Sequence, residues 1–279
     1  MIFKSGDTVM LIDSKNRKKT IVLDSNKTFY SHSGAILHSA IIGNSDASIV
    51  ETDKGKKYLA ISPLLRDFVL TMPRGAAVIY PKDAAVIVAY SDIKQDSKVL
   101  EAGVGSGSLS TFILKALGPN GSLTSYETRS EFAEIAKENV KRYFGEIPEN
   151  WKVVLEDVKD AADFEFTHII LDMLSPWLPL ARVSELLEAG GVLCTYVATT
   201  TQMSEQVEAI RASSKFTEPE AFEIMIRTWH LDGLAVRPDH RMPGHTGFLI
   251  FARKMATGSA PLVKRRKFNS INVSEQDEN

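Results

Sequence analysis

Acidic residues stand at the ends of three successive strand-like runs in this sequence: Glu127 follows SLTSY, Asp157 ends WKVVLED and Asp172 follows THIIL. Upstream, the stretch VLEAGVGSGSL carries glycine at positions 103, 105 and 107. Glycine lets a backbone approach a ligand closely, and a carboxylate accepts hydrogen bonds from the hydroxyl and amino groups of one. A strand ending at Ala102, a glycine turn and a helix opening near Ser108 predict a nucleotide cradle at the carboxyl edge of a parallel sheet. Glu127 falls 20 residues beyond Gly107, where a carboxylate can take both hydroxyls of a ribose. The dinucleotide fingerprint G-x-G-x-x-G is not met, because the sixth position from Gly103 is Ser108 and the third glycine comes one place early. Each acid alone reads as well as a helix cap or a solvated carboxylate, but three at neighbouring strand ends all face one edge.

The surrounding elements have to deliver that geometry. Residues 1–65 hold short β-type runs (TVMLID, KTIVLD, KTFYSHS, ASIVET, KKYLAIS) between turn-forming clusters, which predicts a small N-terminal β-domain. Over 66–255 strand and helix patterns alternate, from VIY and PKDAAVIVAYSDI through KVLEA and SLSTFILKALG to GVLCTYV and TQMSEQVEAIRAS. That alternation predicts an α/β fold with a mostly parallel sheet and helices on both faces. Leu109, Phe112, Ile113 and Leu117 share one helical face ahead of Gly118. In the next helix Thr128 and Glu131 fit a capping box, Phe132, Ile135 and Ala136 recur at helical spacing, and Gly145 offers a stop. AFEIMIRTWHL and GFLIFARK read as antiparallel strands completing the sheet, and residues 256–279, with KRRK at 264–267, as a flexible polar tail.

The form E-x-G-x-G-x-G resembles the loop of Rossmann-like class I methyltransferases, over which S-adenosylmethionine lies. A more specific resemblance, over about residues 5–255, is to the tRNA adenine-58 N1-methyltransferases of the bacterial and archaeal single-subunit type. It rests on IYPKDAAVI (79–87), LEAGVGSGSLS, SYE, DMLSPW (172–177), YVATTTQ (196–202) and RPDHRMPGHTGFL (237–249). The chain departs from that pattern at Ala198 and Leu174, where many relatives carry proline. The resemblance implies that Gly103, Gly105, Ser106, Gly107, Ser108 and Leu109 surround the methionine moiety of the donor. It implies further that Glu127 holds the ribose, Asp157 with Glu156 meets the adenine, Asp172 is catalytic and Tyr80 borders the target base. Phe132 is a candidate to pack on the cofactor adenine, with a plain core aromatic as the alternative. Pro176 and Trp177 are expected to form an apolar wall beside Asp172. The family's members are tetramers, so a homotetramer is expected, with the RP…HTGF segment at the site rim or a subunit contact. The competing functions are a methyltransferase acting on protein or a small molecule, and a tRNA-binding subunit without activity.

Composition adds constraints. The 279 residues are 44% hydrophobic and 24% charged, enough for a substantial core, and no apolar run approaches a membrane span. With no secretory apolar region at MIFKSGDTVM, a cytoplasmic location is expected. The lone Cys194, in GGVLCTYV, reads as a buried inert thiol, and His240 and His245 lack partners at ligand spacing, so no metal is expected. A formal charge of −2 leaves phosphate contacts to local clusters: Lys15–Lys19, Arg74, Lys82, Arg237 and Arg241.

Overall fold

The computed structural model describes residues 1–75, 77–162 and 164–262. The N-terminal region is built from β1 (Thr8–Asp13), β2 (Lys18–Val22), β5 (Ser48–Glu51) and β6 (Lys57–Ile61), an antiparallel sheet in the order β2-β1-β6-β5. A separate hairpin pairs β3 (Thr28–Ser31) with β4 (Gly34–Leu37). Phe3, Val9, Leu11, Leu23, Ile36, Ile41 and Tyr58 fill a core of their own beneath these strands. The β1–β2 turn is held by Asp13, whose Oδ1 accepts from the N–H groups of Lys15 and Arg17, each at 2.9 Å.

The larger sheet has seven strands in the order β12-β15-β11-β10-β7-β8-β9. Its parallel part is β7 (Lys98–Ala102), β8 (Ser122–Tyr126), β9 (Trp151–Val154), β10 (Phe166–Asp172) and β11 (Leu187–Val197). β15 (Phe248–Arg253) and β12 (Glu220–Phe222) extend it antiparallel. Alternate residues go to opposite faces: Ile170, Cys194 and Leu249 pack with the helices on one side, and Ile169, Leu171, Leu193 and Ile250 with those on the other. The first face is covered by α2 (Pro81–Tyr90), α3 (Ser108–Leu117) and α4 (Ser130–Phe144), the second by α5 (Leu180–Leu186) and α6 (Thr200–Ser213). Each fully buried aliphatic side chain in such a layer contributes about 1.5–3 kcal/mol of transfer free energy. The expected face of α3 forms, with Leu109, Ile113 and Leu117 buried and Phe112 at the margin. Cys194 is buried, and burial pushes its thiol pKa far up, consistent with an inert thiol.

The chain runs outward from β7 through β8 to β9, then returns to place β10 on the other side of β7. That reversal opens a crevice beyond the carboxyl ends of β7 and β10, where α/β sheets of this type take ligands.

Several local expectations change. VIY (78–80) is not a strand; Tyr80 is extended and precedes α2, with Pro81 at the first helical position. No capping box forms at Thr128: α4 starts after Arg129, and the N–H groups of Thr128 and Arg129 donate instead to Glu127 Oε1 at 3.0 and 3.1 Å. The strand expected through Asp157 ends at Val154, and Asp157 caps the short 3-10 turn Val158–Asp160. Of AFEIMIRTWHL only Ala221 and Phe222 join the sheet, at the end of β12; β13 (Trp229–Asp232) pairs with β14 (Ala235–Pro238) in a hairpin of its own. α1 (Leu65–Thr71) follows β6 and packs through Phe68 against Tyr143 of α4. Residues 263–279, KRRK included, lie outside the described residues.

Candidate active site

A cleft of about 470 Å³ opens at the crevice between β7 and β10, within the range of small-molecule sites. Gly103, Gly105, Glu127 and Asp172 line its inner part, and Tyr80, Arg74, Arg129, Leu174, Tyr196 and Thr246 are among the residues of its walls and rim. The sequence thus identified Gly103, Gly105, Glu127, Asp172 and Tyr80 as a group that the fold brings together.

The glycine loop is tied to both neighbouring strands. Gly103 N–H donates to the Asp172 carbonyl at 3.0 Å, Val104 N–H to the Tyr126 carbonyl at 3.1 Å, and Gly105 N–H to Glu127 Oε2 at 3.2 Å. A Cβ at position 103 would stand 3.2 Å from Glu127 Oε2, so a side chain there would press on the carboxylate. Gly107 serves a different purpose. Its φ is +76°, and a Cβ would meet the backbone of Ala136 at 3.1–3.2 Å, so glycine lets α4 pack directly on the loop. Ser106, Ser108 and Leu109 are buried behind the loop, with Ser108 Oγ donating to the Ile79 carbonyl at 3.1 Å. Gly107, the N-cap of α3, brings no capping side chain, and the positive end of the helix dipole lies at the glycine loop.

Glu127 is buried and well held. Besides the three backbone donors, Arg129 Nε bonds Oε1 at 3.1 Å, and the Arg129 guanidinium lies 3.8 Å from the centroid of the Phe132 ring. Asp172 is the contrast: its carboxylate accepts no hydrogen bond from any described residue. Burial, followed by the negative charge of Glu127, pushes its pKa up to about 7. Behind it Glu101 is also raised to about 7, chiefly by burial, and its Oε2 takes the hydroxyls of Ser110 and Ser125, each at 2.6 Å.

The other expected residues sit apart from the cleft lining. Glu156 is exposed, and Asp157 Oδ1 accepts from Lys159 N–H at 3.0 Å. Pro176 is buried and Trp177 half-buried; the apolar wall beside Asp172 comes from Met173 and Leu174. Lys82 is not available for phosphate. Its Nζ is held by Asp83 Oδ1 and Thr246 Oγ1, each at 2.6 Å, and Thr246 Oγ1 in turn donates to Asp83 Oδ2 at 2.7 Å. This clasp joins the start of α2, beside Tyr80, to the segment 245–247. His245 bonds Glu223 Oε2 at 2.9 Å and the Ala198 carbonyl at 2.7 Å, and the Glu223 bond raises its pKa. Sequence reasoning missed Arg129, Tyr196, Thr246, Gln202 and the Asp83 partner of Lys82. Only Gln202 carried a local signal, the T-x-x-Q spacing from Thr199 that forms a full capping box on α6.

A doubly wound sheet with a glycine loop after its first parallel strand and carboxylates at the next strand ends defines a class I S-adenosylmethionine-dependent methyltransferase. Comparisons place it within that class. A family model described as "tRNA methyltransferase complex GCD14 subunit" matches residues 58–236, and one described as "TrmI-like N-terminal" matches residues 2–50. The tRNA (adenine(58)-N(1))-methyltransferase TrmI of Thermus thermophilus is 31% identical over 248 residues, 88% of this chain and 96% of that one. The tRNA (adenine(57)-N(1)/adenine(58)-N(1))-methyltransferase TrmI of Methanocaldococcus jannaschii is 28% identical over 230 residues, 73% of this chain and 81% of that one. Among solved structures, a SAM-dependent O-methyltransferase from Thermotoga maritima superposes with a TM-score of 0.87 at 28% identity, covering 91% of this chain and 95% of that one. The tRNA (m1A58) methyltransferase TrmI from Aquifex aeolicus does so with a TM-score of 0.82 at 26% identity, covering 92% and 100%. The chain belongs to the TrmI-type tRNA methyltransferase family.

Proposed function

We propose that this protein transfers a methyl group from S-adenosylmethionine to N1 of adenine 58 in the T-loop of tRNA. The observation that carries this is the Asp172 carboxylate, which accepts no hydrogen bond from the described residues, in a cleft whose floor is the glycine loop. The residues present fit the donor: Glu127 offers a buried carboxylate for a ribose, and the uncapped start of α3, at Gly107 to Leu109, suits the carboxylate of an amino acid. The negative charges of Glu127 and Asp172 favour a sulfonium nearby. When bound, the donor supplies an electrophilic methyl on an already activated sulfur. The protein's own task is therefore mostly positioning.

The target base leaves the tRNA stack at a cost of a few kcal/mol, about what good pocket contacts repay. Tyr80 borders the extruded ring. Asp172 accepts a hydrogen bond from the exocyclic amine and stabilises the positive charge that grows on the ring as N1 is alkylated. A carboxyl poised near 7 is also matched to receive a proton at neutral pH. Glu156 and Asp157 are assigned to the cofactor adenine, with Phe132, over which the Arg129 guanidinium lies, as the ring that packs beside it. Arg74 at the rim and the exposed Arg237 and Arg241 are assigned to tRNA phosphates.

The same proposal divides the chain at about residue 65, supported by the separate core under β1–β6 and by the packing of Phe68 on Tyr143. It includes a homotetramer, supported by the β13–β14 hairpin, where Trp229, Leu231 and Val236 form one exposed apolar face. It also includes a cytoplasmic location; no helix of the described residues is long and apolar enough to cross a membrane.

Transfer of radiolabel from S-adenosylmethionine to unmodified tRNA, with the labelled nucleoside identified as 1-methyladenosine, tests the function. Asp172→Ala is expected to abolish transfer and to keep donor binding. Label found only in protein, or normal turnover by the variant, overturns the proposal.

A further inference from the structure

Leu174 stands two residues beyond Asp172 on the rim of the cleft, with 81% of its surface exposed. It makes little contact with its own chain, yet the backbone that carries it is fixed. Gln202 Nε2 donates to the Leu174 carbonyl at 2.8 Å. Gln202 is itself locked, its Oε1 accepting from Ala198 N–H at 3.2 Å and from the N–H and hydroxyl of Thr199 at 3.1 Å each. On the other side, the bond from Gly103 N–H to the Asp172 carbonyl anchors the same loop to the glycine turn. The start of α6 and the end of β7 therefore hold a bare apolar side chain in a set position beside the unpartnered carboxylate.

A base drawn out of a stack leaves a gap between its former neighbours. Apolar side chains fill such gaps well, because they surrender no water-bonded polar group on entry, and leucine is one of the wedges proteins use against stacked bases. A flexible rim would lose ordering entropy on insertion, whereas a backbone already pinned at Leu174 does not.

We propose that Leu174 inserts into the tRNA base stack at the level vacated by the target adenine and keeps that adenine extruded toward Asp172. The proposal rests on the tRNA function above and adds the device that holds the substrate open.

The test uses the full chain and a T-arm hairpin RNA with 2-aminopurine next to the target adenine, since stacking quenches that fluorophore. With wild-type protein the fluorescence rises on binding. Leu174→Ala is expected to bind the hairpin within about threefold of wild type, to lose most of the rise, and to lower kcat about tenfold, while Leu174→Met restores both. On a short unstructured RNA bearing the adenine, where there is no stack to open, Leu174→Ala is expected to lose several-fold less of kcat than it does on the hairpin. A full rise with Leu174→Ala, an equal loss on the unstructured RNA, or no rise with bound wild-type protein overturns the wedge. Failure of the wild type to methylate any tRNA overturns the functional proposal instead.

Discussion

Asp172 and Glu127 divide the work of a carboxylate between them. Glu127 is saturated with donors from its own chain, while Asp172 has none among the described residues and is pushed up to about 7 by burial and by the Glu127 charge. The sign of the pH effect follows. A carboxyl raised in the folded state holds a proton between the ordinary carboxylate range and about 7, so the ionised form used at the target amine accumulates only as pH rises through 7. The rate at saturating donor and tRNA is expected to climb with an inflection near 7, and Glu127→Gln to move that inflection down. Asp172→Asn is expected to leave a residual rate, at least about a hundredfold lower, that does not follow pH. A wild-type profile flat from pH 5 to 9 would count against the assignment. For stability the same shift works the other way: the contribution of Asp172 and Glu101 is full below the ordinary carboxylate range and is lost progressively as pH rises from there through about 7. Glu127 and Asp172 were legible in the sequence because each ends a strand-like run, Glu127 at the expected distance beyond the glycine loop. Lys82 and Thr246 were not, since their contact spans 164 residues and only the closed fold makes it.

At the scale of elements, the two helix starts near the site show where sequence patterns succeed and fail. Thr128 and Glu131 have the spacing of a capping box, yet the neighbouring Glu127 carboxylate captures the N–H groups first, and the helix begins one residue later. Thr199 and Gln202 have the analogous spacing, no rival acceptor intervenes, and the box forms. Thr199→Ala removes its side-chain acceptor and is expected to cost about 1 kcal/mol, about 2–4 °C in Tm for a chain of this size, measured by thermal unfolding. No change in Tm would mean that the cap carries no load. The parallel strands were legible for a related reason: β7, β10 and β11 are buried on both faces and read as continuous apolar runs. VIY was misread because three apolar residues before a proline suit an extended helix entry as well as a strand.

At the scale of the whole molecule, the β13–β14 hairpin leaves its apolar side to the solvent. Trp229 and Leu231 are 54% and 73% exposed, on the same face as Val236, while His230 and Arg237 pair on the opposite face. A two-stranded hairpin with an open apolar face is marginal by itself and gains from being covered. Trp229→Glu combined with Leu231→Glu is expected to shift wild-type oligomers to smaller species in sedimentation, with donor binding retained; a wild-type monomer at micromolar concentration would rule out this contact. Sequence reading gave this region as sheet because its alternation is genuine, and only pairing partners decide which sheet a strand enters.

That hairpin lies in the chain between β12 and β15, which are hydrogen-bonded neighbours in the main sheet. The excursion from residue 223 to 247 thus departs and returns within about one inter-strand spacing, roughly 4.8 Å. Its root at 245–247 is tied to α2 and to the cleft, but the β13–β14 hairpin at its far end can be lengthened, shortened or recoloured by mutation without reworking the sheet that carries it. Descendants of this architecture are free to trade one assembly for another while the chemistry underneath is inherited intact.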